Sequence, residues 1–163
     1  MNKLTKPNRR VLIVDDNPSI HDDYNRVLNA GRVDGELDTL EAALFGAATA
    51  TAVAAATFEL SHCMQGQEAF EKVCEAAERN EPFSVAFVDM RMPPGWDGVE
   101  TIEKIWSRDP NIQIVICSAH SDYKLSDVVA RLGRTDQLLF LRKPFDPDEV
   151  HQLALALSQK WDI

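Results

Sequence analysis

The stretch Phe83-Ser84-Val85-Ala86-Phe87-Val88-Asp89-Met90-Arg91-Met92-Pro93-Pro94-Gly95-Trp96-Asp97-Gly98 runs from an apolar block into a carboxylate and then into a turn rich in proline and glycine. Val85, Ala86, Phe87 and Val88 carry no polar side chain, which fits a strand buried on both faces. A charge at the end of such a strand costs solvation unless something binds it. Three other largely apolar runs finish in a similar way. Residues 11–14 lead to Asp15-Asp16, residues 112–117 lead to Ser118, and residues 138–141 lead to Lys143-Pro144. In a parallel sheet the C-terminal strand ends share one edge, and α/β proteins build their sites there.

Helical spacing fills the gaps between these runs. After Asn17-Pro18, a pair suited to a first helical turn, Ile20, Tyr24, Val27 and Leu28 recur on one face. Residues 58–63 read as a second strand. Residues 67–79 read as a helix bearing Ala69, Phe70, Val73, Cys74 and Ala77. Residues 98–108 carry Val99, Ile102, Ile105 and Trp106 and stop before Pro110. Residues 122–132 carry Leu125, Val128, Val129 and Leu132, and residues 146–160 carry Val150, Leu153, Ala154 and Leu157, with Trp161 just beyond. The alternation predicts an α/β fold: a doubly wound, five-stranded parallel sheet with helices on both faces. Residues 29–57 break the rhythm, because α/β connections usually take two to six residues. Val33, Leu37, Leu40, Leu44 and Phe45 fit a short amphipathic helix, but residues 46–57 are nearly all Ala, Thr and Gly. The segment reads as a mobile surface insertion between the first helix and the second strand, with a partner-binding segment as the sharper alternative.

The 163 residues suit one domain, and 45% hydrophobic with 26% charged residues suits a globular one. The net charge of −9 argues against direct nucleic-acid or anionic-membrane binding. Cys63, Cys74 and Cys117 are dispersed without a CxxC spacing, so they read as reduced structural thiols of a cytoplasmic protein. The four histidines, His21, His62, His120 and His151, lie apart in sequence and suggest no histidine metal site. The first ten residues are polar and basic, with no apolar core of a signal peptide, and no run is long enough to span a membrane.

Four motifs in order resemble the receiver domains of two-component response regulators. They are Val-Leu-Ile-Val-Asp-Asp at 11–16, Val-Asp-Met-Arg-Met-Pro at 88–93, Cys-Ser-Ala at 117–119 and Lys-Pro-Phe at 143–145. The resemblance covers residues 9–158, leaving 159–163 as the start of a linker or tail. It implies the flavodoxin-like strand order 2-1-3-4-5. It also implies a site: Asp89 as phosphoacceptor, with Mg²⁺ (or Mn²⁺) held by Asp16, Asp89 and the Arg91 backbone carbonyl, and by Asp15 through water. Ser118, Ala119 and Lys143 would contact the phosphate, and Phe140 would respond as a switch with Ser118. Chemistry agrees with this assignment. Three clustered carboxylates repel one another, a hard divalent cation takes oxygen ligands, and with Lys143 the formal charges cancel. The implied partners are a sensor histidine kinase or phosphotransfer protein and an output domain or downstream protein, with residues 122–160 as output face and as a homodimer contact.

Three features depart from the family pattern. The turn after Met92 is one residue longer than the commonest form and carries Trp96, which would cover the site, pack on a partner or serve as a local packing residue. Arg91 and His120 lie two residues beyond Asp89 and Ser118, where large side chains would slow hydrolysis of the phosphate. The third departure is the 29–57 segment, near the helix that receivers present to kinases. The chain ends without an output domain, so it acts through protein contacts or as a module joined to a histidine kinase or cyclic-di-nucleotide enzyme. Rival readings are an unphosphorylated receiver-like interaction domain and an Asp-nucleophile phosphatase. The latter wants a second Asp two residues after the first, where this chain has Arg91 or Asn17. A nucleotide or flavin binder is weaker still, since no glycine-rich loop follows the first strand.

Overall fold

The structure is a computed structural model, and it describes residues 8–29, 58–119, 125–133 and 136–162. Five strands form one parallel sheet in the order β2-β1-β3-β4-β5. They are β1 (Arg10–Val14), β2 (Glu59–Cys63), β3 (Val85–Asp89), β4 (Gln113–Ser118) and β5 (Leu138–Arg142). The helices are α1 (Pro18–Leu28), α2 (Gly66–Glu78), α3 (Gly98–Arg108), α4 (Leu125–Leu132) and α5 (Pro147–Asp162). Both the strand order and the alternation are as expected.

The period-two alternation of side chains divides the core in two. Leu12, Val14, Ala86, Val88, Ile114 and Ile116 face one way, onto Ala69 and Val73 of α2, Ile102 and Ile105 of α3 and Val128 of α4. Val11, Ile13, Val85, Phe87, Val115 and Cys117 face the other way, onto Tyr24 and Leu28 of α1 and Ala154 and Leu157 of α5. Burial on both faces is why the strands read as continuous apolar runs rather than as alternating ones.

Strand register sets the site. Val14 is level with Cys63 and Val88, Asp89 with Cys117, and Ser118 with Arg142. Asp15 therefore emerges level with Asp89, while Met90 follows one residue beyond that height and Lys143 two. Those residues are pinned by one further ladder bond each. Asp15 N–H donates to the Cys63 carbonyl at 3.0 Å, Met90 N–H to Cys117 at 2.9 Å, and Lys143 N–H to Ser118 at 2.8 Å.

Helix boundaries lie within a few residues of the sequence reading, and α3 matches it at both ends. Strand β3 includes Asp89, which the sequence reading placed just outside. The ladder continues through the carboxylate because Asp89 pairs with Cys117. The buried face of α2 consists of Gly66, Ala69, Val73 and Ala76, while Phe70, Cys74 and Ala77 sit at its margin. The segment 30–57, His120 and the start of the expected 122–132 helix lie outside the described residues.

Candidate functional site: an acidic cluster with a lysine counter-ion

Asp15, Asp16 and Asp89 each offer a carboxylate oxygen, and these oxygens lie within 4.8 Å of one another. Asp15 and Asp89 are buried, and Asp16 is half-buried. Lys143 reaches across the edge of the sheet. Its Nζ donates to Asp15 Oδ2 at 2.8 Å and to Asp89 Oδ1 at 3.1 Å. Asp15 Oδ1 accepts the Asn17 N–H at 2.9 Å. Asn17, rather than the acidic pair, caps α1, accepting the Ser19 N–H at 3.0 Å.

Each group is aimed by its own element. The Lys143–Pro144 peptide bond is cis, and Phe145 beyond it stacks on Tyr24 with ring centroids 5.0 Å apart. Tyr24 is itself wedged against Phe87, and its hydroxyl lies 3.1 Å from Cys117 Sγ, beneath the acidic edge. The turn after Asp89 folds back so that Gly98 N–H donates to the Met90 carbonyl at 2.9 Å. A β-carbon on Gly98 would stand 2.6 Å from the Asp89 carbonyl oxygen, so the start of α3 can pass this close only as glycine. Asp97 caps α3, accepting the Glu100 N–H at 2.8 Å.

The electrostatics follow from burial and crowding. Burial, followed by the charge of Asp15, pushes the Asp89 carboxyl up to about 6, with Lys143 pulling the other way. Burial acts to lower Lys143, but the hydrogen bond and charge of Asp15, then the charge and hydrogen bond of Asp89, outweigh it and hold the ammonium above its usual range. Burial pushes the Cys117 and Cys63 thiols up to about 12, which keeps them protonated and unreactive near neutrality. A carboxylate raised by burial and by a like charge is what a divalent cation relieves, and three hard oxygen donors are the chemistry such a cation prefers.

The structure brings together Asp15, Asp16, Asp89 and Lys143. It puts Ser118, buried, at the neighbouring strand end, with Ala119 exposed beyond it. Phe140 is half-buried on β5 and packs with Leu132 against the α2–α3–α4 side of the core. Arg91 is exposed and, with Met90, Asp97, Val99, Asp127, Val128 and Arg131, lines an open pocket of about 360 Å³ between the β3–α3 turn and α4. Trp96 packs its ring edge-on against Phe70 of α2 at 6.2 Å, and Lys104 of α3 sits over its face at 5.7 Å. Trp96 thus has packing contacts with both α2 and α3. One group escaped the sequence reading. His21 and His62, 41 residues apart, meet at 2.7 Å beside the cluster. The available signal was that His21 falls in line with Tyr24 and Leu28 on α1.

Residues 41–155 match the family model described as the response regulator receiver domain. The chain belongs to that family. The matched span opens inside the long segment before β2, so β1 and its acidic pair join the receiver through the sheet they occupy. The receiver is 36% identical over 89 residues to the DNA-binding transcriptional regulator NtrC of Escherichia coli K12, a stretch that covers 55% of this chain and 17% of NtrC. It is 30% identical over 94 residues to the chemotaxis protein CheY of Thermotoga maritima, covering 58% of this chain and 71% of CheY. A solved structure described as an adenylate cyclase from Rhodopirellula baltica superposes with a TM-score of 0.68 at 27% identity, over 95% of this chain and 90% of that one. A receiver domain from Methanospirillum hungatei superposes at 0.66 with 19% identity, over 94% and 96% of the two chains. The chain thus carries a receiver domain, of a family of phosphoacceptor modules that work with histidine kinases and output domains. Among the described residues, no helix is long and apolar enough to cross a membrane.

Proposed function

We propose that Asp89 is the phosphoacceptor and that the receiver catalyses its own phosphorylation from a phosphohistidine of a sensor kinase or phosphotransfer protein, and its own dephosphorylation. The observation that carries this is the shared contact of Lys143 with Asp15 and Asp89 inside a cluster of three carboxylates. Asp16, Asp89 and the Arg91 carbonyl would hold Mg²⁺ or Mn²⁺ directly, and Asp15 through water. When bound, the cation supplies positive charge for the phosphoryl oxygens. An Asp89 carboxylate oxygen bonds to phosphorus as the phosphorus–nitrogen bond of the donor breaks. The acceptor is already ionised above its pKa, so positioning and charge neutralisation supply the rate rather than a base. Lys143 stays close enough to pair with the transferred group. Ser118 and the Ala119 backbone would contact the phosphate, and Phe140 would repack with Ser118, passing the change to residues 122–160. That face would meet an output domain, a downstream protein or a second copy. The net charge of −9 disfavours direct binding to nucleic acid or to an anionic membrane. The receiver would be joined to a histidine kinase or a cyclic-di-nucleotide enzyme, and the likeness to a chain described as an adenylate cyclase supports attachment to a nucleotide-cyclising module. We place the receiver at residues 9–158, with 29–57 as an insertion beside the kinase-facing helix.

The test is intact mass after incubation with Mg²⁺ and a small phosphodonor such as acetyl phosphate. One phosphoryl group is expected on the wild-type chain and none on Asp89→Asn. Wild-type protein that binds no Mg²⁺ and gains no mass from any donor would instead identify an unphosphorylated interaction domain. Arg91 lines the pocket next to Met90, and Arg91→Ala is expected to shorten the phosphate half-life severalfold by clearing a path for water. Equal half-lives would dismiss that role.

A further inference from the structure

His21 is a buried histidine on α1 with both ring nitrogens engaged. Nε2 lies 2.7 Å from the Asp15 carbonyl oxygen, and Nδ1 lies 2.7 Å from Nδ1 of His62 on β2. The other nitrogen of His62 meets Asn25 Oδ1 at 3.1 Å. Protons can be counted along this chain. A carbonyl only accepts, so His21 Nε2 must carry hydrogen. Two ring nitrogens at hydrogen-bond distance share one proton, donated by one and accepted by the other. Asn25 can close the chain with its oxygen or, with the amide turned over, with its nitrogen, and the Asp15 end is the same in either case. Burial, followed by the charge of His21, lowers the His62 pKa, which disfavours protons on both of its ring nitrogens at once.

The carbonyl that His21 holds belongs to the peptide joining Asp15 to Asp16. That peptide is planar and stiff, so fixing its oxygen fixes where the Asp16 nitrogen and Cα lie. Asp15 has other restraints on its side chain, from Asn17 and Lys143. The Asp16 carboxylate has no hydrogen bond among the described residues, so its aim is set through its backbone. We propose that His21, braced by His62 and Asn25, is a positioning residue for the acidic cluster: its Nε2–H holds the Asp15–Asp16 peptide so that both carboxylates point at one cation. This rests on reading the cluster as a divalent-cation site.

Calorimetric titration of the full chain with Mg²⁺ separates the two ideas. Asparagine at position 21 can reach toward His62 but not the carbonyl, whereas glutamine can place an amide N–H near the position of Nε2. His21→Asn is expected to weaken Mg²⁺ binding roughly 10-fold, the cost usual for an outer-shell partner of a metal ligand, and His21→Gln to recover to within about threefold of wild type. Wild-type affinity in His21→Asn, or an equal loss in both variants, overturns the positioning role and leaves the cation site standing. A wild-type chain that does not bind Mg²⁺ removes both. Because a variant at a buried position can fail to fold, the wild-type chain supplies a second measurement. Its ¹⁵N-histidine spectrum should show His21 protonated on Nε2, with scalar coupling between the two Nδ1 atoms. A bare Nε2 on His21 overturns the proposal without any variant.

Discussion

At Asp89 the fold and the site pull in opposite directions. The folded carboxyl titrates at about 6, because burial and Asp15 disfavour its charge, against an ordinary value of 3.8. Between those two pH values the folded chain binds more protons than the unfolded one, so stability falls as pH rises through the window. Above about pH 6 the whole penalty is present. Asp89→Asn carries no charge to desolvate. In the absence of divalent cations it is expected to be more stable than wild type by roughly 1–3 kcal/mol at pH 8, with the difference closing toward pH 4. Urea unfolding at the two pH values, with chelator, measures this. A variant that is no more stable at pH 8 would show that Lys143 already neutralises the cost. At this scale much was legible in sequence. Asp15, Asp16, Asp89, Ser118 and Lys143 stand out because reactive groups interrupt apolar runs. The His21–His62 pair was not legible, since a contact across 41 residues leaves no local trace.

The elements place these residues through close backbone approach. Helix α3 begins directly against β3, and Gly98 makes this approach feasible, since a β-carbon there would lie 2.6 Å from the Asp89 carbonyl oxygen and 2.9 Å from Met90 Cα. Backbone atoms cannot rotate away as a flexible side chain can. Gly98→Ala should therefore push the start of α3 off the strand and destabilise the fold by roughly 1–3 kcal/mol, the usual cost of overpacking. Because the displaced peptide carries Asp89, Mg²⁺ affinity should fall with it. A thermal melt and a Mg²⁺ titration of the variant test both halves, and an unchanged melt would show that the turn absorbs the methyl group. Element type and order were readable because period-2 and period-3.6 patterns differ. The end of β3 was read one residue short because a charge looks like a strand terminus, although the ladder runs on through Asp89 to Cys117. The face of α2 was misjudged at Phe70, whose ring is used on Trp96 rather than in the centre of the core.

For the molecule as a whole, the question is what residues 30–57 contribute, since the sheet is complete without them. The two ends of the segment meet directly. Phe58 N–H donates to the Leu28 carbonyl at 3.4 Å, and both side chains are buried in the core on the α1–α5 side of the sheet. A chain that leaves and returns at one point can be cut out without stretching what remains. For a closure of 28 residues, shortening to about four lowers the entropic cost of joining the two ends by roughly 1–2 kcal/mol. Replacing 30–57 by a four-residue Gly-Ser link is expected to give a folded receiver with an unfolding midpoint no lower than the parent and the same Mg²⁺ affinity. A lower midpoint would show that the segment packs on the core. A chain that keeps its midpoint and takes phosphate from a small donor, yet loses transfer from its kinase, would place partner choice in the segment. The joining points, Leu28 and Phe58, lie at the opposite end of the sheet from Asp15 and Asp89, so the deletion is expected to leave the chemistry at the C-terminal ends of β1 and β3 untouched.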